Sequence, residues 1–85
     1  MTEGSIGVKP MTLDDEEFFR EIGHRLREHR EARGWTQAEL AQRCRLHKAY
    51  IGFVERGERN VSLVNLRRIA RTLRVRLADL LKGLD

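Results

Sequence analysis

QAELAQRCRLHKAYIGFVER, residues 37–56, is the stretch whose reading decides the architecture. It divides into two short helical runs with a break at Leu46-His47. Thr36 precedes the first run and Glu39 follows three residues later, the spacing of a capping box. The hydroxyl takes one free backbone N–H of the first turn, and the carboxylate reaches back to the N–H of the cap. This predicts a helix that opens at Gln37 and ends near Cys44. A second helix is expected from about His47 to Arg56, with Gly57 as its stop. Two helices joined by so short a turn must cross closely, so the inward residue of the first must be small, and Ala41 meets that need. Ile51 and Val54, three apart, anchor the inner side of the second. His47, Lys48, Ala49, Gly52, Phe53 and Arg56 are left for its outer face.

Working outward, the remaining chain is also helical. Residues 1–11 mix Gly, Ser and Pro without periodicity and read as a flexible arm. Thr12-Leu13-Asp14-Asp15 reads as a helix start: a Thr hydroxyl can cap, and acids in the first turn suit the positive helix end. Phe18, Phe19, Ile22 and Leu26 then recur at helical spacing over residues 14–33, and Gly34 supplies the stop. Trp35 is expected to pack at the corner before the next helix. Ser62 caps a fourth helix with the stripe Leu63, Leu66, Ile69, Ala70 and Leu73. A short fifth helix holds Leu77, Leu80 and Leu81, with Gly83 after it. The expectation is one all-α domain over residues 12–85, five helices and no strand.

Composition narrows the function. The net charge of +4 is unevenly placed. Residues 1–17 hold one Lys against five Asp/Glu, whereas residues 18–85 hold sixteen Lys/Arg against eight Asp/Glu. So basic a body suggests a polyanionic partner, nucleic acid or an anionic membrane surface. No apolar run approaches the roughly 20 residues that span a bilayer, and the N-terminus lacks the apolar segment of a secretory signal. With a single cysteine, Cys44, these features point to a soluble cytoplasmic protein. Cys44 itself reads as a small core residue on the back of the second helix.

Catalytic and metal chemistry find no support. His24 and His29 are five apart and do not share a helix face, His47 stands elsewhere, and Cys44 has no CxxC partner. P-loop, GxSxG and HExxH patterns are missing. The carboxylates at residues 14–17 are accounted for by a helix start. Neither a cofactor nor a metal is expected, and the chain does not read as an enzyme.

An α-helix fits the major groove of double-stranded DNA, where side chains near its N-terminus reach base edges. At this point the residues carry a resemblance. TQAELA at residues 36–41, YIGFVERGERN at 50–60, and Ser62-Leu63 followed by LRRIARTL at 66–73 resemble the phage repressor and Cro family of helix-turn-helix regulators, the XRE family. The likeness extends over residues 22–81 and implies a five-helix repressor-like domain. It also implies roles. Gln37 matches a position that holds a DNA phosphate at a helix N-terminus, and Tyr50, Arg56, Arg59 and Asn60 are assigned to the flanking backbone. His47, Lys48, Ala49, Gly52 and Phe53 match positions facing the groove. Arg30 and Glu55 match a pair that forms a buried salt bridge between the first and third helices.

The chain departs from the family pattern at three arginines. Arg45 and Arg74 stand where glycine is common, and Arg76 where a serine caps the last helix. A side chain forced to positive φ costs on the order of 1 kcal/mol, so strain or a different local shape is expected there. The function implied is a transcriptional regulator, a repressor or autoregulator, reading a palindromic operator as a homodimer. Leu77, Leu80 and Leu81 are the expected dimer interface. The competing expectation is an antitoxin that covers a toxin partner and also binds its operator, motivated by the acidic arm.

Overall fold

The structure, a computed structural model, describes residues 14–58 and 61–84. The expected flexible arm and the loop residues Arg59 and Asn60 lie outside the described residues. Five helices follow in order: α1 Asp15–Ala32, α2 Gln37–Cys44, α3 Lys48–Glu55, α4 Leu63–Leu73 and α5 Leu77–Leu81. Asp14 caps α1. Its carboxylate accepts from the Glu17 N–H at 2.8 Å while Glu17 accepts from the Asp14 N–H at 3.4 Å, a capping box two residues on from the expected cap at Thr12. At α4, Ser62 Oγ accepts from the Asn65 N–H at 3.1 Å.

Every helix gives apolar side chains to one core: Ile22 and Leu26 from α1, Leu40, Ala41 and Cys44 from α2, Ile51 and Val54 from α3. Leu66, Ile69, Ala70 and Leu73 come from α4, and Leu80 from α5. α3 packs on α1 and α2, while α4 packs on α2, α1 and α5. Among the described residues no helix is long and apolar enough to cross a membrane.

The α1–α3 crossing is unusually close for a reason that can be named. A Cβ at Gly23 would collide with the carbonyl oxygens of Val54 and Glu55. A Cβ at Gly57 would stand 2.7 Å from Arg20 Cα, and Gly57 has φ +73°. Backbone therefore meets backbone at both points, which only glycine allows. At the other helix ends, arginines stand where glycine would be easier. Arg45 and Arg74 adopt the left-handed conformation, with φ of 61° and 60°. Each closes its helix with a wrapped turn, Leu46 N–H to Ala41 O and Val75 N–H to Ala70 O, both 2.9 Å. The local shape is thus the one glycine would make, at about 1 kcal/mol of steric cost per site. Arg76 precedes α5 without a side-chain cap.

Arg25 of α1 and Arg33, the residue that caps its C-terminus, reach across to finish other helices. Arg25 Nη1 donates to the carbonyls of Leu80 at 3.0 Å and Lys82 at 2.7 Å, and Arg33 Nη2 donates to Leu73 O at 2.9 Å. These carbonyls have no intrahelical partner, so the contacts satisfy groups that would otherwise need water.

The expectation that Leu77, Leu80 and Leu81 form a dimer interface needs correcting in part. Leu80 is wholly buried in the core of its own protomer, and Leu77 and Leu81 are half-buried against that core. Docking of α5 on α1 and α4 uses these leucines within one chain. Among the described residues, the large hydrophobic side chains left exposed are Leu63 (67%) and Val64 (64%), on the first turn of α4.

Candidate nucleic-acid interface

The two helices read from residues 37–56 meet as a helix-turn-helix, with the turn made by left-handed Arg45 and half-buried Leu46. The capping box at α2 is complete: Thr36 Oγ1 accepts from the Glu39 N–H at 3.0 Å, and Glu39 accepts from the Thr36 N–H at 2.8 Å. The backbone hydrogen bond from Thr36 holds the Glu39 carboxyl below its ordinary pKa. The first-turn N–H groups of Gln37 and Ala38 have no intrahelical acceptor, and the helix dipole adds to them, so this end suits an anion.

Along α3 the expected outer row divides. His47, the N-cap residue, makes no side-chain cap, and it is exposed together with Lys48 and Ala49. Among the described residues neither the His47 nor the Lys48 side chain has a hydrogen-bond or ion-pair partner. Phe53 is half-buried, with the Arg56 guanidinium 5.2 Å from its ring centroid. Gly52 differs from expectation, because it is buried and not part of the open face. Side chains from two directions cover it. A Cβ there would stand 3.2 Å from Arg56 Nη1 and 3.6 Å from Gln37 Oε1. Arg56 also pairs with Glu58, Nε to Oε2 at 3.0 Å, with both side chains about half exposed. Tyr50 OH accepts from Asn65 Nδ2 at 3.1 Å, which ties α3 to the first turn of α4.

Beneath this surface lies the ion pair between α1 and α3. Arg30 Nε donates to Glu55 Oε2 at 2.7 Å and Nη2 to Oε1 at 2.9 Å, a two-pronged arrangement. The side chains are 10% and 4% exposed. Arg30 Nη1 donates to Trp35 O at 2.7 Å, and Gln37 Nε2 donates to Glu55 Oε1 at 3.0 Å. The hydrogen bond with Glu55 raises the Arg30 pKa above its ordinary value in spite of burial, so the guanidinium stays charged. Trp35 packs at the corner as expected, with the Arg43 guanidinium 4.3 Å and that of Arg33 5.6 Å from its ring centroid.

The other sequence candidates for chemistry fall away. Cys44 is buried, and burial pushes its thiol pKa up, which suits a packing residue and not a nucleophile. Among the described residues no group of His, Cys, Asp and Glu could hold a metal. Sequence reasoning overlooked Gly23, whose position in the apolar stripe beside Ile22 was the available signal. It also overlooked the Gln37–Glu55 bond, for which two polar residues eighteen apart give no signal at all.

Comparison with known proteins agrees with this geometry. The helix-turn-helix family matches residues 26–80. The control protein C.BamHI of Bacillus amyloliquefaciens is 50% identical over 46 residues, covering 54% of this chain and 57% of that protein. The restriction-modification controller protein C.AhdI of Aeromonas hydrophila has a structure that superposes with a TM-score of 0.71 at 45% identity, covering 73% of this chain and 94% of the other. SinR, the master regulator for biofilm formation, solved in complex with DNA, superposes with a TM-score of 0.68 at 31% identity, covering 72% of this chain and 98% of the other. Relatives and family are DNA-binding regulators, not enzymes. This chain belongs to the helix-turn-helix family of XRE-type transcriptional regulators and is similar to restriction-modification controllers.

Proposed function

We propose that the protein reads a palindromic operator as a homodimer and represses transcription, its own gene included. The observation that carries this reading is the outer side of the first turn of α3. The Lys48 side chain is exposed there with no hydrogen-bond or ion-pair partner among the described residues, beside His47 and Ala49. In this reading Lys48 donates to guanine O6 or N7, His47 reaches a neighbouring base edge, and Ala49 and Phe53 touch thymine methyl groups. Gln37, Tyr50, Arg56, Arg59 and Asn60 hold phosphates and set the register.

The second copy seats on the first turn of α4. Leu63 and Val64 would be covered by their own counterparts, the self-complementary contact that a two-fold axis makes. The Asn65–Tyr50 bond puts this patch beside α3. A palindromic operator read on one face of the duplex requires the two recognition helices to lie about 34 Å apart, one turn of DNA.

Selection from random duplexes tests the reading. An enriched palindrome with half-sites about ten base pairs apart supports it. An enriched single half-site, with Leu63→Ser and wild type sedimenting alike as monomers on DNA, would remove the dimer. Dissociation by Leu77→Ser and not by Leu63→Ser would return the seam to α5. Transcription from the chain's own promoter, unchanged by added protein, would exclude autorepression.

A further inference from the structure

We propose that Glu55, held by Arg30, is a positioning residue for DNA binding, because it fixes the direction of the Gln37 side chain at the start of α2. The inference rests on the reading of Gln37 as a phosphate contact. Arg30 alone already satisfies both oxygens of the carboxylate, at 2.7 and 2.9 Å. The bond from Gln37 Nε2 to Glu55 Oε1 at 3.0 Å is therefore additional to the link between α1 and α3. Nor is it needed to hold α2, which is anchored in the core by Leu40, Ala41 and Cys44. What it decides is where the amide points.

A carboxylate only accepts hydrogen bonds, so the amide must turn its NH2 inward and its carbonyl the other way. Oε1 accordingly lies over Gly52, 3.6 Å from where a Cβ would stand. One amide hydrogen is committed to Glu55, which leaves the second for another acceptor. Left to itself, a glutamine on an exposed first turn would sample many rotamers and would have to be ordered on binding. Here that ordering happens on folding, and binding affinity gains by the difference. The missing side chain at Gly52 is the other half of the device, since it leaves the space into which the amide turns.

Phosphate contacts are independent of sequence, so a short mixed-sequence duplex serves as the probe. Its affinity is to be measured at two salt concentrations for wild type, Gln37→Met, Glu55→Gln and the double variant, at a temperature where thermal melts show each folded. Gln37→Met is expected to weaken binding by about five- to tenfold, the scale of one charge-assisted hydrogen bond. Glu55→Gln should weaken it by a similar factor, and the double variant should be no weaker than the worse single one. Losses that multiply, or a Glu55→Gln variant that melts earlier yet binds as wild type, would overturn the positioning role.

Should Glu55→Gln fail to fold, relaxation of side-chain amides in the wild type decides the matter. The Gln37 amide is expected to be as ordered as the backbone, in contrast to exposed Gln42. Equal mobility of the two would refute the proposal. A wild type with an ordered Gln37 that binds no duplex would instead refute the DNA reading.

Discussion

The cations of α1 and those of the later helices share a chemistry and differ in circumstance. On α1, Arg20, Arg25 and Arg27 pair with Glu16, Glu21 and Glu31, one turn away, and Arg30 pairs with Glu55. Arg33 closes the end of α4. From α3 onward, Lys48, Arg67, Arg68, Arg71, Arg74 and Arg76 have no ion-pair partner among the described residues. α4 itself contains no acid, and Arg67 and Arg71 stand one turn apart as like charges. The basic balance read from composition is therefore two things. In α1 it is an internal framework that neutralises itself, and beyond α3 it is an unneutralised field available to a polyanion.

The contrast is most easily broken at Arg30. Arg30→Met should destabilise the fold by about 3–5 kcal/mol, because it leaves Glu55 charged in a buried place. Chemical denaturation measures this, and a loss like that of a surface substitution would mean that the pair is dispensable. Lys48→Ala tests the opposite side. It should leave stability unaltered and relax discrimination between operator and mismatched duplex by roughly 1–3 kcal/mol. An equal loss on every sequence would make Lys48 a phosphate contact.

Two smaller effects sharpen the comparison. Arg74→Gly removes an unpaired cation from a left-handed position and should stabilise by about 1 kcal/mol, read from the denaturation midpoint. A decrease would show that the Arg74 side chain has a stabilising role. Arg71→Gln removes one like-charge neighbour and should raise stability by only about 0.2–0.5 kcal/mol. A loss of more than that would identify a partner for Arg71 and weaken the division drawn above.

Much of the fold was legible because its signals are local. Thr36 and Glu39, Ser62, Gly34 and Gly57 act within one turn of chain, and they delimit the helices where the structure has them. Misreadings occurred where a residue's surroundings come from distant elements. Gly52 sits on the outer side of α3 by helical spacing, yet Gln37 from α2 and Arg56 from the helix end cover it. Leu80 reads in the sequence as a dimer contact, but α5 is held to α1 by Arg25 and the side chain enters the common core. Asp14 took the cap that a Thr two residues earlier could have supplied, and nothing in the local sequence ranks the two. Within the candidate site, the exposure of His47, Lys48 and Ala49 was readable from their spacing. The orientation of Gln37 was not, since it depends on a carboxylate eighteen residues away.

The backbone contact at Gly23 has a consequence for how the protein must search. With no side chain between them, α1 and the end of α3 are in backbone contact, which opposes any sliding or tilting of α3 apart from the rest of the domain. A groove of the wrong width then finds no adjustment on the protein side, and the misfit falls on the duplex. If α3 is the recognition helix, sequences stiff against bending or groove compression would be penalised even where every contacted base is correct, and selectivity would extend to base pairs that no side chain touches.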